Sequence, residues 1–283
     1  MATAPYLATG RPLWITAAIA PGAAIVACLV LYPIALAIFA SLTARSGGLT
    51  LQHYADFFAS GESYRALVRT VGLALATTAA SIVLSIPLGY VGRTPGWVDT
   101  LVRVLVSLPL AVPVLIAGYA LALFFADHGL FNNLLVRVLH LLSDPLSISY
   151  TWTGLVIACT WRFFPYTGLL VISALHAIDR NIEQAAASAG ANPWQLFVRV
   201  TLPLIAPAAL TGGILTFVST FGTFSIPLIM GRGGDVLSVM AYRKLSGAFD
   251  WPVASTIVIV MAVIQITVLV GLRRAVVRWA HRS

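Results

Sequence analysis

The sequence predicts an all-α fold: a polytopic transmembrane helical bundle of about six membrane-spanning helices with a cytoplasmic helix-turn-helix loop. Three observations predict it. Hydrophobic residues occupy 59% of the 283 positions and charged residues 9%, whereas a soluble domain carries about 25% charge. So much apolar surface needs lipid as part of its solvent. Long charge-free intervals recur along the chain, and one alanine-rich polar segment, rich in helix-capping residues, interrupts them late in the sequence.

The elements follow in order. Arg11 precedes 33 uncharged residues, Pro12 to Ala44. The apolar region of a signal peptide runs only about 7–15 residues, so this stretch reads as a retained first span, about 13–42. Ala35-Leu36-Ala37, which mimics a cleavage site, carries the competing reading. Thr70–Gly92 and Val104–Ala126 are each 23 residues without charge, and Trp251–Leu272 is 22. At 1.5 Å per residue these helices reach roughly 33–35 Å, enough for a hydrocarbon core of about 30 Å. The expected spans are therefore about 13–42, 70–92, 104–126, 150–176, 204–230 and 251–272 of a single domain covering 1–283. The fourth is interrupted by Arg162, and the fifth lies in the uncharged run Val200–Gly231. Between the third and fourth, Leu130–Leu142 has the apolar spacing of an amphipathic interfacial helix. Leu108-Pro109-Leu110 with Pro113 is echoed by Leu202-Pro203-Leu204 with Pro207. Both read as the first turn of a helix entering the membrane, where proline is tolerated.

An even number of crossings places both termini on one side. Nine basic residues (Arg11, Arg93, Arg103, Arg180, Arg199, Arg273, Arg274, Arg278 and Arg282) fall on the termini and even-numbered connections, against seven in the opposite loops. The excess, with the Arg-rich tail, puts the termini in the cytoplasm. The formal charge of +8 serves topology and lipid headgroups rather than nucleic acid, because the arginines stand singly between apolar runs except for four in the last eleven residues. Cys28 and Cys159 sit inside apolar segments and form no disulfide framework. Nothing spaces His and Cys as a metal site.

Two absences bear on the energy source. No Asp or Glu falls within the six intervals, whereas carriers coupled to protons or sodium place carboxylates there. The intervals are also poor in paired broken-helix signals. The single lysine, Lys244, is followed by Leu245, so the chain lacks the Gly-Lys-Ser/Thr of a phosphate-binding loop. Any ATPase is another polypeptide. A secondary carrier or channel working without an ATPase is the alternative, and the five scattered histidines argue against a membrane-embedded enzyme.

The segment between the fourth and fifth spans, about 177–203, reads as helix, turn, helix. Ile182–Ala189 is alanine-rich and helix-favouring. Gly190 ends it or permits close approach. Asn192 is a good N-cap, Pro193 suits the first helical position, and Gln195 completes a capping box. Two readings are open on these residues: a smooth helix seated in a partner's groove, or an interfacial helix on lipid.

This segment resembles the EAA loop of binding-protein-dependent ABC importer permeases: Glu-Ala-Ala, three residues, Gly, nine residues, Ile, one residue, Leu-Pro. Ala185, Ala186, Gly190, Val200, Leu202 and Pro203 stand in register. The acidic position holds Gln184, with Glu183 one residue early. One residue is about 100° around a helix, so Glu183 faces elsewhere. The resemblance spans roughly residues 50–270, through Gly129-x-x-Asn132-x-x-Leu135, Trp161-Arg162-Phe163-Phe164-Pro165-Tyr166 and Phe221–Gly231 with Asp250–Ala254. Its later part is most like the branch importing polyamines, phosphonates or ferric iron. The resemblance implies an inner-membrane subunit with no catalysis and no cofactor of its own. ATP would be bound by partner ABC ATPase subunits, and a second permease subunit and an extracytoplasmic substrate-binding protein would complete the importer. ATPase coupling would lie at Glu183, Gln184, Ala185, Ala186, Gly190, Val200, Leu202 and Pro203.

Arg162, near mid-span, costs at least roughly 2.5–3.5 kcal/mol on insertion scales unless it faces the bundle interior or water. It is either a translocation-pathway residue meeting an anionic solute or a buried arginine satisfied by carbonyls or a neighbouring subunit. Tyr119, Tyr166, Thr220 and Thr223 are candidate pathway polar groups, with interhelical packing as the alternative role.

Overall fold

The computed structural model describes residues 13–44, 47–231 and 236–280. Arg11, Arg45, Arg232 and Arg282, which enter the charge count, lie outside them. Among the described residues every regular element is helical, and Thr43–Leu49 forms an isolated β-bridge. The elements are α1 (Leu13–Ser41), α2 (Gln52–Ala59), α3 (Gly61–Val91), α4 (Trp97–Ala111), α5 (Val114–Phe124), α6 (Leu130–Asn133) and α7 (Trp152–Ala177). There follow α8 (Arg180–Ser188), α9 (Pro193–Leu196), α10 (Leu202–Phe221), α11 (Ser225–Met230), α12 (Leu237–Ala248) and α13 (Trp251–Ala280). Five stretches are long and apolar enough to cross a membrane: Ala20–Ser41 in α1, α3, α7, Pro193–Phe221 through α9 and α10, and Trp251–Arg274 in α13. The pair α4 and α5 makes a sixth when counted as one span.

That pair corrects the expectation of one straight helix over 104–126. The chain bends by 105° between α4 and α5. Pro113 has no N–H and disfavours helical backbone in the residue before it, and Val112 is extended, with φ −88° and ψ 127°. Pro109 lies inside α4 rather than in a first turn. Pro203 stands in the first turn of α10, as expected, although helical backbone runs into it from Pro193. The five-residue π-helical turn Phe197–Thr201 stands just before it and accommodates a residue that cannot donate to the ladder. The fifth span ends at Phe221, short of the expected 230, and the chain re-forms as the separate α11. The helix expected over 130–142 ends at Val138, as α6 plus a second π-helical turn, and His140 turns the chain at φ 50°.

The centre of the bundle is α3, α7 and α10, packed pairwise. On α3 one face is buried through Ala66, Thr70, Leu73, Ala74, Thr77, Ser81, Ser85 and Gly89, small side chains at three- and four-residue spacing that let backbones approach. A close approach is at Gly212 of α10, where an added Cβ would meet Thr167 Cα of α7 at 2.6 Å. There the Thr167 and Thr216 hydroxyls are hydrogen-bonded at 2.9 Å, and Thr216 Oγ1 also donates to the Phe163 carbonyl at 3.2 Å. α1 rests on α13 and leaves its apolar window unburied, as a lipid-facing helix does.

An outer layer caps one end of the bundle. Phe57 of α2, Ala66 of α3, Leu237, Met240 and Ala241 of α12, and Ile257 and Val260 of α13 share one buried cluster. The Leu237 backbone N–H donates to Thr70 Oγ1 at 2.9 Å. α3 thus begins at Gly61, earlier than its apolar interval. The loop after α5 is held by Asn132, which is 1% exposed. Its Nδ2 donates to the carbonyls of Ala126 and Leu146, and its Oδ1 accepts from the Leu146 N–H at 2.8 Å.

Candidate functional site

Two places carry the expected functional residues. The first is the helix-turn-helix after α7. Asp179 caps α8 by accepting from the Asn181 N–H at 2.9 Å. The helix stops at Gly190, whose φ is +88°; a left-handed conformation costs a side-chain-bearing residue about 1–2 kcal/mol. The Ala191 N–H reaches back to the Ala186 carbonyl and the Gly190 N–H to Ala187, the paired bonds of a glycine-terminated helix. Asn192 and Gln195 cap reciprocally at 2.8 and 3.1 Å, with Pro193 in the first turn. Every local feature expected of this loop is present.

Gln184, Ala185, Gly190 and Pro203 are exposed, and Ala186, Val200 and Leu202 half-buried. No residue of α8 or α9 is fully buried, and Trp194 is 71% exposed. The loop therefore presents small side chains, Ala185 and Gly190 among them, together with the exposed Ile182 and Trp194.

Glu183 does turn elsewhere, and what it meets was not legible in the sequence. It forms an ion pair with Arg93, just after α3, and accepts from the Thr201 hydroxyl at 3.0 Å. The Arg93 guanidinium lies 5.2 Å from the centre of the Tyr90 ring, which packs edge-on against Phe197. Beside this pair, Arg103 donates to Asp99 Oδ1 at 2.8 Å and to His176 Nδ1 at 2.7 Å. Arginine cannot accept, so Nδ1 is the acceptor and the Nε2–H of His176 donates to the Gly92 carbonyl at 2.7 Å. The ends of α3 and α7, the start of α4 and the loop are joined by these groups.

The second place is the middle of the bundle. Arg162 on α7 is 9% exposed, and its guanidinium lies 5.6 Å from the centre of the Phe163 ring. Its Nε and Nη1 have no hydrogen-bond partner among the described residues, nor do the hydroxyls of Thr77, Ser81, Thr160 and Thr220. Tyr166 is half-buried and stacks on Phe163 at 6.3 Å. Thr223 is buried and its carbonyl accepts from Ser238 Oγ at 2.7 Å. Tyr119 stands apart, 57% exposed on α5. Thr77, Ser81 and Thr160, buried with unpaired hydroxyls, were not singled out in the sequence, where Thr77, Ser81 and Ser85 at four-residue spacing were the available signal.

Comparison with known proteins agrees with this architecture. The family described as "binding-protein-dependent transport system inner membrane component" matches residues 81–281. The sulfate transport system permease protein CysT of Escherichia coli is 29% identical over 194 residues, 67% of each chain. The spermidine/putrescine transport system permease protein PotB of Escherichia coli is 26% identical over 205 residues, covering 71% of this chain and 74% of that protein. A crystal structure of a bacterial alginate ABC transporter, in complex with a pentasaccharide-bound periplasmic protein, contains a chain superposing with a TM-score of 0.75. It is 19% identical and covers 92% of both chains, a likeness of fold. With most of its length matched, this chain belongs to the family of inner-membrane components of binding-protein-dependent transport systems: it is a non-catalytic permease subunit of an ABC importer.

Proposed function

We propose that this chain forms the solute pathway of its importer with both termini in the cytoplasm. It would receive solute from an extracytoplasmic binding protein and work beside a second permease subunit, identical or homologous. ATP would be bound by separate ATPase subunits docked on the helix-turn-helix. Gln184, Ala185, Ala186 and Gly190 would form the contact, and Glu183, Val200, Leu202 and Pro203 would join it to the bundle. Arg162, Tyr166, Thr220 and Thr223 would line the pathway, with Tyr119 at its edge. The relatives named for sulfate and for spermidine/putrescine handle solutes of opposite charge, so at this level the cargo is a small polar solute of polyamine, phosphonate or iron type.

The observation that carries the coupling role is the loop's two-sidedness: small exposed residues outward, the Glu183–Arg93 ion pair inward. A helix that only lay on lipid would turn a continuous apolar face outward, whereas the exposed residues of α8 are Arg180, Asn181, Gln184, Ala185, Ala187 and Ser188, with Ile182 as its one large apolar side chain. The test belongs at Ala185, because a side chain at Gly190 would strain the backbone before it met any partner. Ala185→Trp should leave the chain inserted in the membrane and abolish ATPase binding or binding-protein-stimulated hydrolysis. The isolated wild-type chain should hydrolyse no ATP above background. Full stimulation of the Ala185→Trp importer would remove the loop from the coupling path.

A further inference from the structure

The helix-turn-helix is held to the bundle by more than the Glu183–Arg93 pair. No residue of α8 or α9 is fully buried, so the place of the loop depends on where Arg93 stands. Arg93 lies just past the end of α3, in the short turn that leads to α4 at Trp97. A free turn would let its long side chain point in many directions, and fixing such a side chain costs entropy. The peptide group joining Gly92 to Arg93 is instead held at both of its polar atoms. Its N–H donates to the Tyr90 carbonyl at 3.4 Å, and its carbonyl accepts from His176 Nε2 at 2.7 Å.

His176 stands in the last turn of α7 and reaches across to that carbonyl. Which ring nitrogen of an imidazole carries the proton is set by the partner of the other nitrogen. Here that partner is the Arg103 guanidinium, which donates to Nδ1 at 2.7 Å and cannot accept. Nδ1 is therefore bare, and Nε2 carries the hydrogen. Arg103 is itself oriented by Asp99, one turn earlier on α4, which accepts from its Nε at 2.8 Å. Asp99 Oδ1 lies 3.4 Å from His176 Nε2, farther than the Gly92 carbonyl, so the carbonyl takes the stronger bond. The backbone fits closely as well: a Cβ added to Gly92 would meet Val102 of α4 at 3.1 Å.

The series Asp99, Arg103, His176 and the Gly92 carbonyl thus ends at the residue that grips the loop. We infer that His176 is a positioning residue: it fixes the Gly92–Arg93 peptide so that the guanidinium meets Glu183 on α8. The consequence for transport rests on the docking of an ATPase on the loop, proposed above. Movement of α8 would then reach α3 and α4 through this peptide, since His176 holds it to α7 and Arg103 ties the same imidazole to α4. Without His176 the ion pair would still form, but on a turn free to pivot, and the loop would open more often. The effect of His176 on the loop runs through Arg93. A histidine that merely filled space at the end of α7 would act on α8 with or without Arg93.

The test is hydrogen–deuterium exchange of the α8 amides, read by mass spectrometry on the full chain in lipid nanodiscs. His176→Phe keeps a ring and loses both bonds. It should speed exchange in α8 about fivefold, the scale of one hydrogen bond, and leave α12, at the other end of α3, unchanged. His176→Gln offers an acceptor to Arg103 and a donor to Gly92, and should stay within about twofold of wild type. Arg93→Gln should itself speed exchange, and adding His176→Phe to it should change nothing further. Wild-type exchange in His176→Phe, an equal acceleration by it on the Arg93→Gln background, or His176→Gln as fast as His176→Phe overturns the inference. If His176→Phe does not elute as a monodisperse nanodisc complex, Arg103→Met, which frees the imidazole to turn over, takes its place in both comparisons. Adding the ATPase subunits tests the docking reading separately. They should slow α8 exchange in wild type; absence of slowing removes the docking, while the variants still decide the place of His176.

Discussion

Replacing Glu183 by Gln removes one charge from the ion pair that ties the coupling loop to the bundle. The two side chains are 17% exposed for Arg93 and 12% for Glu183, between an exposed pair, worth about 0–1 kcal/mol, and a buried pair, whose breaking costs about 3–5 kcal/mol. The Thr201 hydroxyl, on a fully buried residue, would exchange a carboxylate for a weaker amide acceptor. Together these set the loss of loop docking at about 1–3 kcal/mol. Because α8 has no fully buried residue, little else fastens it, and the loss should appear as local loosening rather than global unfolding. The outward face remains, so ATPase binding should survive while solute uptake per ATP hydrolysed falls about tenfold, the equivalent of 1.4 kcal/mol. The assay is uptake and hydrolysis measured together on reconstituted importer, for Glu183→Gln, Arg93→Gln and the double variant. The two single effects should not add. Uptake per ATP equal to wild type in Glu183→Gln, or strictly additive effects, would refute the argument. The sequence places Glu183 among the coupling residues but on a different face from Gln184, and its ion pair with Arg93 gives that inward face a partner.

Two further outcomes follow from the same structure. Asn132→Leu would strip the loop after α5 of its clamp, leaving the Leu146 N–H unpaired and the Ala126 and Leu146 carbonyls with only their backbone donors, the Gly129 and Ile148 N–H groups; it should cost about 1–3 kcal/mol, read as a lower thermal midpoint and faster proteolysis between α5 and α7. For the membrane orientation, Gly61→Cys, exposed at the start of α3, should react with an impermeant thiol reagent in intact cells and Thr94→Cys, exposed beyond its end, should not; the reverse pattern would invert the topology, whereas residues 235 and 281–283 lie outside the described chain and offer no structural guide to labelling.

What could be read from the sequence divides along the range of the forces involved. The caps of α8 and α9 were legible residue by residue, because Asp179, Gly190, Asn192, Pro193 and Gln195 act on backbone groups within a few positions of themselves. The number of spans was legible for a similar reason: an apolar interval meets lipid wherever its neighbours lie. The ends of the helices were not. Charge-free length measures depth in lipid, and α3 continues outward past Arg69, Arg65 and Glu62 because α2 and α12 cover its first turns. The bend at Val112–Pro113 was visible as a proline and still missed, since a first-turn proline and a helix break share the same dipeptide. Only the backbone direction imposed by α7 and α11 on α5 separates them. At the centre, Arg162 announced itself by its cost in lipid, but the buried unpaired hydroxyls did not. Thr77 and Ser81 look in sequence like Thr70 and Thr78, and the difference lies in whether the hydroxyl turns back to its own helix. That choice is made by the neighbouring helices, so which hydroxyls stay unpaired becomes legible only once α3, α7 and α10 are placed side by side.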